Sequence, residues 1–248
     1  MLGHAALGNK ACQVVKREAM KKEDCTIALP PILGCQARVE DSYDMKAVFT
    51  EIYALNIWVY GSGEGSLPKH TKGYRRFLER FIRDRQIKSV VDYGCGDWQF
   101  SRLIDWDGVR YLGLDIVDLL IEHHLKTYRK DNITFEVLAE TPVELPDAEL
   151  IIIKDVLQHW SHQSIRSFLP KIAKYKFALI TNCVNPNGPT DNRDILDGGF
   201  RLLDLTRPPF SCEMAKVFEF TNRRGVFGLR HKPRWKKIVL LQQNDAAE

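Results

Sequence analysis

Between residues 89 and 183 the chain alternates short apolar runs with amphipathic stretches. The runs at 89–93, 111–116, 134–138, 150–154 and 178–183 are built from β-branched and aliphatic residues. Ile151-Ile152-Ile153 and Ala178-Leu179-Ile180 contain no polar position. A strand that is apolar at every position is covered on both faces, as parallel strands under helices are. The stretches near 100–106, 119–130 and 163–174 have helical spacing instead. This alternation predicts a parallel sheet with helices on both faces. The ending differs. Residues 217–221 and 237–241 read as strands joined through Asn222-Arg223-Arg224-Gly225, with no good crossover helix between them. The expected fold class is therefore α/β, a mostly parallel seven-stranded sheet with an antiparallel C-terminal strand pair.

Two further helices are predicted ahead of the sheet. Residues 45–55 have helical spacing. In 72–86, Leu78, Phe81 and Ile82 mark one face, and Arg75, Arg76, Arg80, Arg83 and Arg85 occupy the others. A glycine-rich loop, Tyr60-Gly61-Ser62-Gly63-Glu64-Gly65-Ser66, separates them. Residues 1–45 show no clean period. A helix-favouring stretch, 16–24, is followed by Pro30-Pro31, which breaks it. The expected organisation is a partly ordered or mobile leader (1–45), a helical cap (46–88), the sheet domain (89–243) and a short tail (244–248).

Composition changes this picture little. At 248 residues, 44% hydrophobic and 27% charged, the chain reads as an ordinary globular protein, and a net charge of +4 does not by itself imply nucleic acid. Its six cysteines form no C-x-x-C pair and no zinc spacing, which points to a reducing, cytoplasmic setting. No apolar run is long enough for a membrane span, and the first residues do not read as a signal peptide. The expectation is no membrane partner; the oligomeric state is left open.

Candidate chemistry begins at Val90-Val91-Asp92-Tyr93-Gly94-Cys95-Gly96-Asp97-Trp98. Here a β-branched run ends in Gly-x-Gly, and the next apolar run ends in Asp115. A tight turn after one strand and an acid after the next suit a nucleoside cofactor laid across two parallel strand ends, the acid accepting ribose hydroxyls. A dinucleotide site expects a third glycine where this chain has Gln99, and Asp97 would repel a pyrophosphate.

The ordered set Asp92-x-Gly94-x-Gly96, Asp115 and Lys154-Asp155-Val156-Leu157-Gln158-His159-Trp160, followed by the antiparallel tail, resembles the class I S-adenosylmethionine-dependent methyltransferases of the small-molecule type. The resemblance spans about residues 48–243. It implies a Rossmann-like fold with an N-terminal helical lid, S-adenosyl-L-methionine as cofactor and S-adenosyl-L-homocysteine as product. On that resemblance Gly94, Cys95 and Gly96, with Trp98 ending the turn, would lie against the cofactor. Asp92 would help hold its ammonium, Asp115 its ribose and Ile116 its adenine. Glu140 would border the adenine amine, although relatives commonly carry Asp near position 139. Asp155 and Val156 would line the methionine end; an N-cap role for Asp155 is the competing reading. The lid would bring Tyr53 or Trp58 to the sulfonium, and Ser62 with the 61–65 backbone to the methionine carboxylate.

Methyl transfer to a hydroxyl or protonated amine needs a base, and a histidine is suited to it. His159, four residues after Asp155, would share a helical face with it if the segment is helical. The expected catalytic pair is His159 and Asp155, with His162 a lesser candidate base. The long loop after residue 182 would shape a small-molecule acceptor site through Asn182, Asn185, Asp191, Arg193 and Arg201. A divalent cation held by Asp155, Asp191 and Asp194 is an alternative; the spacing does not define one, and no metal is expected. Cyclisation of the cofactor's own aminobutyrate arm is another. Nucleic-acid methylation is a third, drawing on the basic runs at 223–224, 230–232 and 234–237. Those runs read more simply as a solvated face, and the Asn/Asp-Pro-Pro-aromatic segment of base-modifying amino methyltransferases is absent.

Overall fold

The computed structural model of the chain describes residues 44–139, 144–222 and 235–244. Seven strands form one sheet: β1 (Ser89–Tyr93), β2 (Arg110–Asp115), β3 (Ile133–Val137), β4 (Leu150–Lys154), β5 (Phe177–Val184), β6 (Ala215–Thr221) and β7 (Lys236–Gln243). Their order is β3-β2-β1-β4-β5-β7-β6. β1 to β5 run parallel, with Val91 opposite Leu112 on one side and Ile151 on the other. β7 is antiparallel to β5 and β6 antiparallel to β7, so the C-terminal pair is as the sequence predicted.

The chain steps outward from β1 to β3 and then returns to β4 on the other flank of β1. Connections therefore diverge at the carboxyl ends of β1 and β4. That divergence opens the crevice in which ligands of such sheets bind.

Both faces of the sheet are covered. On one, Tyr74, Leu78 and Ile82 of a helix spanning Pro68–Asp84 pack on Val90, Leu150, Ile152, Leu179 and Val239. On the other, Ile165 and Phe168 of a short helix, His162–Phe168, join Val91, Ile151, Ile153, Ala178, Ile180 and Leu240. Alternation along each strand sends successive side chains to opposite faces, and both are apolar here. That is why these strands read as unbroken hydrophobic runs.

We label the helices α1 (Met45–Ala54), α2 (Pro68–Asp84), α3 (Asp118–Thr127) and α4 (His162–Phe168). Asp44 caps α1 by accepting from the Ala47 amide at 3.0 Å. α2 starts a turn before the expected residue 72, because Pro68 at its first position lacks only an N–H that a helix would leave unpaired.

Two expected helices shorten. In 100–106 only Ser101–Leu103 forms a single 3-10 turn. The Trp106 indole takes the Ser101 carbonyl at 2.8 Å, the acceptor that a continuing helix would have used. In 163–174, α4 ends at Phe168 and a 3-10 segment, Leu169–Lys174, follows. Pro170 has no N–H with which to extend the α-helical ladder. No described helix is long and apolar enough to cross a membrane.

Candidate active site

The turn after β1 is held from below. Gly94 and Cys95 amides both donate to the Leu114 carbonyl, at 2.8 and 2.9 Å. Gly94 lies at φ +74°, and a Cβ there would collide with Cγ2 of Val156 at the exit of β4. Gly94→Ala is expected to cost about 2–4 kcal/mol, from left-handed backbone plus overpacking. The measurement is a shift of the urea midpoint at unchanged slope.

Asp115 braces the same turn. One carboxylate oxygen accepts the Gly96 amide at 2.9 Å and the other the Val117 amide at 3.0 Å. Burial pushes its carboxyl up to about 6, against the three backbone amides of Val117, Gly96 and Ile116. Ile116 follows it, half-buried. The Gly96 carbonyl accepts from His124 Nε2 at 2.8 Å.

Asp92 and Trp98 face into the protein. Asp92 Oδ2 accepts from the Tyr111 hydroxyl at 2.6 Å and the Ser101 hydroxyl at 3.2 Å, and burial pushes its carboxyl up. Trp98 is buried; its indole N–H donates to the Tyr111 oxygen, and its ring meets Tyr128 and Phe135 at 5.0 Å. Cys95 is buried between the glycines. Glu140 lies outside the described residues.

The segment after α1 docks onto the glycine turn. Ser62 N donates to Asp97 Oδ2 and Asp97 N donates back to Ser62 Oγ, both at 3.0 Å. Tyr53 shares a 2.8 Å hydrogen bond with the same Ser62 hydroxyl, and Gln99 Nε2 donates to the Tyr60 carbonyl at 2.6 Å. A Cβ on Gly96 would meet Ser62 Oγ, with the Tyr53 oxygen at 3.0 Å. Ser62 is thus committed to the turn. Asp97 and Gln99, which in sequence served only to argue against a pyrophosphate, are the lid's anchors.

The exit of β4 differs from the sequence expectation. Asp155 adopts φ +62° and residues 157–159 make one 3-10 turn, so Asp155 and His159 share no helical face. The Asp155 side chain is no N-cap. Its Oδ2 receives the ammonium groups of Lys154, at 2.5 Å, and Lys237, while its Oδ1 is buried without a partner. Burial opposes its charge, yet the two ammonium groups hold the carboxyl well below the usual range. Lys154 also donates to Ser66 Oγ at 3.2 Å. Pattern and spacing assign neither lysine a role. Lys237 falls in a run that reads as a solvated basic face, but its side chain is 5% exposed. Lys154 carried a visible signal, a charge at the end of an otherwise apolar buried run.

His159 is buried beneath the lid. Its Nδ1 lies 2.7 Å from the Gly199 carbonyl, which only accepts, so Nδ1 carries the hydrogen and Nε2 the lone pair. Phe49, Trp58 and Phe200 surround the ring at centroid distances of 5.8, 5.5 and 5.6 Å. Burial lowers its pKa to about 4, outweighing the Gly199 bond. Trp58 also meets Tyr53 at 5.7 Å. Phe49 and Phe200 came from helical and loop stretches whose convergence has no sequence period.

The loop beyond β5 wraps this turn through backbone bonds from Gly198 to the His159 carbonyl (2.8 Å), Arg201 to that of Gln158 (3.1 Å) and Leu203 to that of Cys183 (2.7 Å). Arg201 is buried, with one terminal nitrogen on the Trp160 carbonyl and Nε and Nη2 unpartnered. Asn182 is buried with a partnerless Oδ1. Asn185 instead closes its own loop onto Thr190, Pro189 and Asn187, and Asp191 and Arg193 are exposed. His162 is held by the Asn192 carbonyl at 2.7 Å and its amide by Asp194. Among the described residues no three acidic, histidine or cysteine side chains converge as a metal site.

The strand order β3-β2-β1-β4-β5-β7-β6, with β7 antiparallel, is that of the class I methyltransferase fold. Two solved structures share it. Magnesium protoporphyrin IX methyltransferase from Synechocystis PCC 6803, with bound S-adenosylhomocysteine, is 12% identical, with a TM-score of 0.54 over 82% of this chain and 100% of that one. Human N-acetylserotonin methyltransferase, in complex with S-adenosylmethionine, is 13% identical, with a TM-score of 0.51 over 94% of this chain and 66% of that one. No family model and no curated protein matches the chain.

Proposed function

We propose that the protein transfers a methyl group from S-adenosyl-L-methionine to an oxygen or nitrogen of a small-molecule acceptor by SN2 displacement. The observation that carries this reading is the setting of His159. A neutral histidine with its lone pair on Nε2 lies under the lid that is anchored on the Asp115-braced turn. When bound, the cofactor would supply a methyl group made electrophilic by its sulfonium.

The residues fit that cofactor. Asp115 accepts the Gly96 amide on one oxygen and the Val117 amide on the other, and a carboxylate has further lone pairs for ribose hydroxyls. Ile116 would offer an apolar surface for adenine, and Cys95 and Val156 would border the cofactor beside Gly94 and Gly96, which Val156 and Ser62 pack against. The partnerless Asp155 Oδ1 awaits a donor. Tyr53 and Trp58 would cover the sulfonium side, where cation–π attraction is worth about 0.5–2 kcal/mol. His159 would take the acceptor's proton at Nε2 while the Gly199 carbonyl keeps Nδ1 protonated. The rings of Phe49, Trp58 and Phe200 favour a planar or apolar acceptor. The partnerless groups of Asn182 and Arg201 would orient its polar substituents. Cys95, Cys183 and Cys212 form no disulfide with one another, which suits a reducing, cytoplasmic compartment.

Calorimetric titration with S-adenosylhomocysteine tests the reading first; saturable binding is expected, and its absence overturns the cofactor. Methyl-labelled cofactor then tests the reaction. Label moving to an acceptor with release of S-adenosylhomocysteine supports transfer, whereas label kept in methylthioadenosine replaces it with cyclisation.

A further inference from the structure

Two lysines are buried where β4, β7 and the lid meet. The side chains of Lys154 and Lys237 are 3% and 5% exposed. Taking an ammonium out of water is costly unless it is paired, and both ammonium groups converge on one oxygen of one carboxylate, Asp155 Oδ2. The neighbouring buried acid, Asp92, gives its Oδ2 to Tyr111 and Ser101. Burial pushes the pKa of Lys154 down while Asp155 holds it up, and the two buried lysines share one carboxylate oxygen. The corner also holds a buried acceptor, Asp155 Oδ1, with no donor. Each ammonium has three N–H groups; Lys154 directs one to Ser66 and one to Asp155, so donors remain.

The corner has a fixed place. Asp155 precedes Val156, whose methyl group would meet any Cβ on Gly94. Ser66 ends the short 3-10 turn Glu64–Ser66 of the lid. Gly65 lies directly over Lys237, since a Cβ there would collide with Nζ. The positive φ of Asp155 aims its carboxylate here rather than along the sheet edge. Lysine N–H donors beside an unpaired carboxylate oxygen complement a group that carries both signs a few ångströms apart.

We infer that Lys154, Lys237 and Asp155 form a clamp for an α-amino-acid zwitterion, namely the aminobutyrate end of S-adenosylmethionine. The lysine ammonium groups face its carboxylate, and Asp155 Oδ1 accepts from its ammonium. This rests on the cofactor reading above. It moves the ammonium contact from Asp92, whose Oδ2 is bonded to Tyr111 and Ser101, and the carboxylate contact from Ser62, which is committed to Asp97 and Tyr53.

Calorimetry with two probes tests it: S-adenosylhomocysteine, and 5′-methylthioadenosine, which keeps the nucleoside and thioether but lacks the amino-acid end. The unaltered protein is expected to bind S-adenosylhomocysteine at least tenfold more tightly. Lys237→Met and Lys154→Met should erase most of that margin while changing methylthioadenosine affinity less than twofold. Gly65→Ala gives a variant with every charge kept. Its backbone needs no special conformation and the colliding atom is the end of a flexible side chain, so the protein should fold with Lys237 displaced and the margin reduced. Equal weakening of both probes, or an unchanged margin in all three variants, overturns the clamp and leaves the cofactor standing. Failure of the unaltered protein to bind either probe removes the cofactor and the clamp together.

Discussion

His159→Ala should lower kcat by about 10²–10⁴-fold, the range of general acid–base contributions, with S-adenosylhomocysteine affinity within twofold. The ring's tautomer is fixed. A carbonyl cannot donate, so the 2.7 Å contact to Gly199 holds hydrogen on Nδ1 and leaves the lone pair on Nε2, 3.5 Å from Gln158 Nε2. The affinity holds because, among the described residues, the ring hydrogen-bonds only toward Gly199 and Gln158, neither of which lies in the glycine turn or at Asp115. The pH profile provides a second readout. Burial favours the neutral imidazole and brings its pKa down to about 4. Activity that needs the neutral form is lost only as pH falls through that value, not near 6.5. At saturating cofactor the acid limb of kcat should therefore fall near 4 and disappear from the residual rate of the variant. Full activity in His159→Ala would remove the base role.

Asp115→Ala should both destabilise the protein and weaken the cofactor. It leaves the buried amides of Gly96 and Val117 without acceptors, at about 1–3 kcal/mol each. A loss of about 2–5 kcal/mol is expected in urea unfolding, and S-adenosylhomocysteine affinity should fall by about 10²-fold or more as two charge-assisted acceptors vanish. Asp115→Asn keeps one acceptor and should fall between. Burial raises this carboxyl to about 6 in the folded chain, above its unfolded value near 4. The folded state thus holds a proton that the unfolded state has lost, and this group's contribution to stability declines as pH rises from about 4 to 6. Hydroxyl donors favour the carboxylate, so ligand affinity should rise across pH 5–7, and an unchanged affinity in Asp115→Ala would sever Asp115 from the ligand.

Much of the fold was legible because burial on both faces writes itself as apolar runs. β1, β2, β4 and β5 needed no further clue. The antiparallel tail was legible from the absence of a crossover helix. The helices at 100–106 and 163–174 were overextended because their periodic residues are buried by tertiary contact, not by a helix: the Trp106 indole competes for a carbonyl, and Pro170 ends a ladder. The Asp155–His159 spacing suggested a shared helical face, but the positive φ at Asp155 breaks the geometry before it starts. Local spacing carries no record of a strained backbone that distant charges stabilise.

By itself, the sequence determined the sheet, the turn after β1 and the acid after β2, since each is a local consequence of hydrophobic pattern and glycine conformation. Only the tertiary structure decided what surrounds His159 and Asp155. Gly199 and Phe200 reach the histidine from beyond β5, Phe49 and Trp58 from before β1, and Lys237 reaches the aspartate from β7. Those partners are distant in sequence. They share no period and meet because the sheet brings the ends of β4, β5 and β7 to one edge, where burial favours the neutral form of His159 and gathers Lys154 and Lys237 on Asp155.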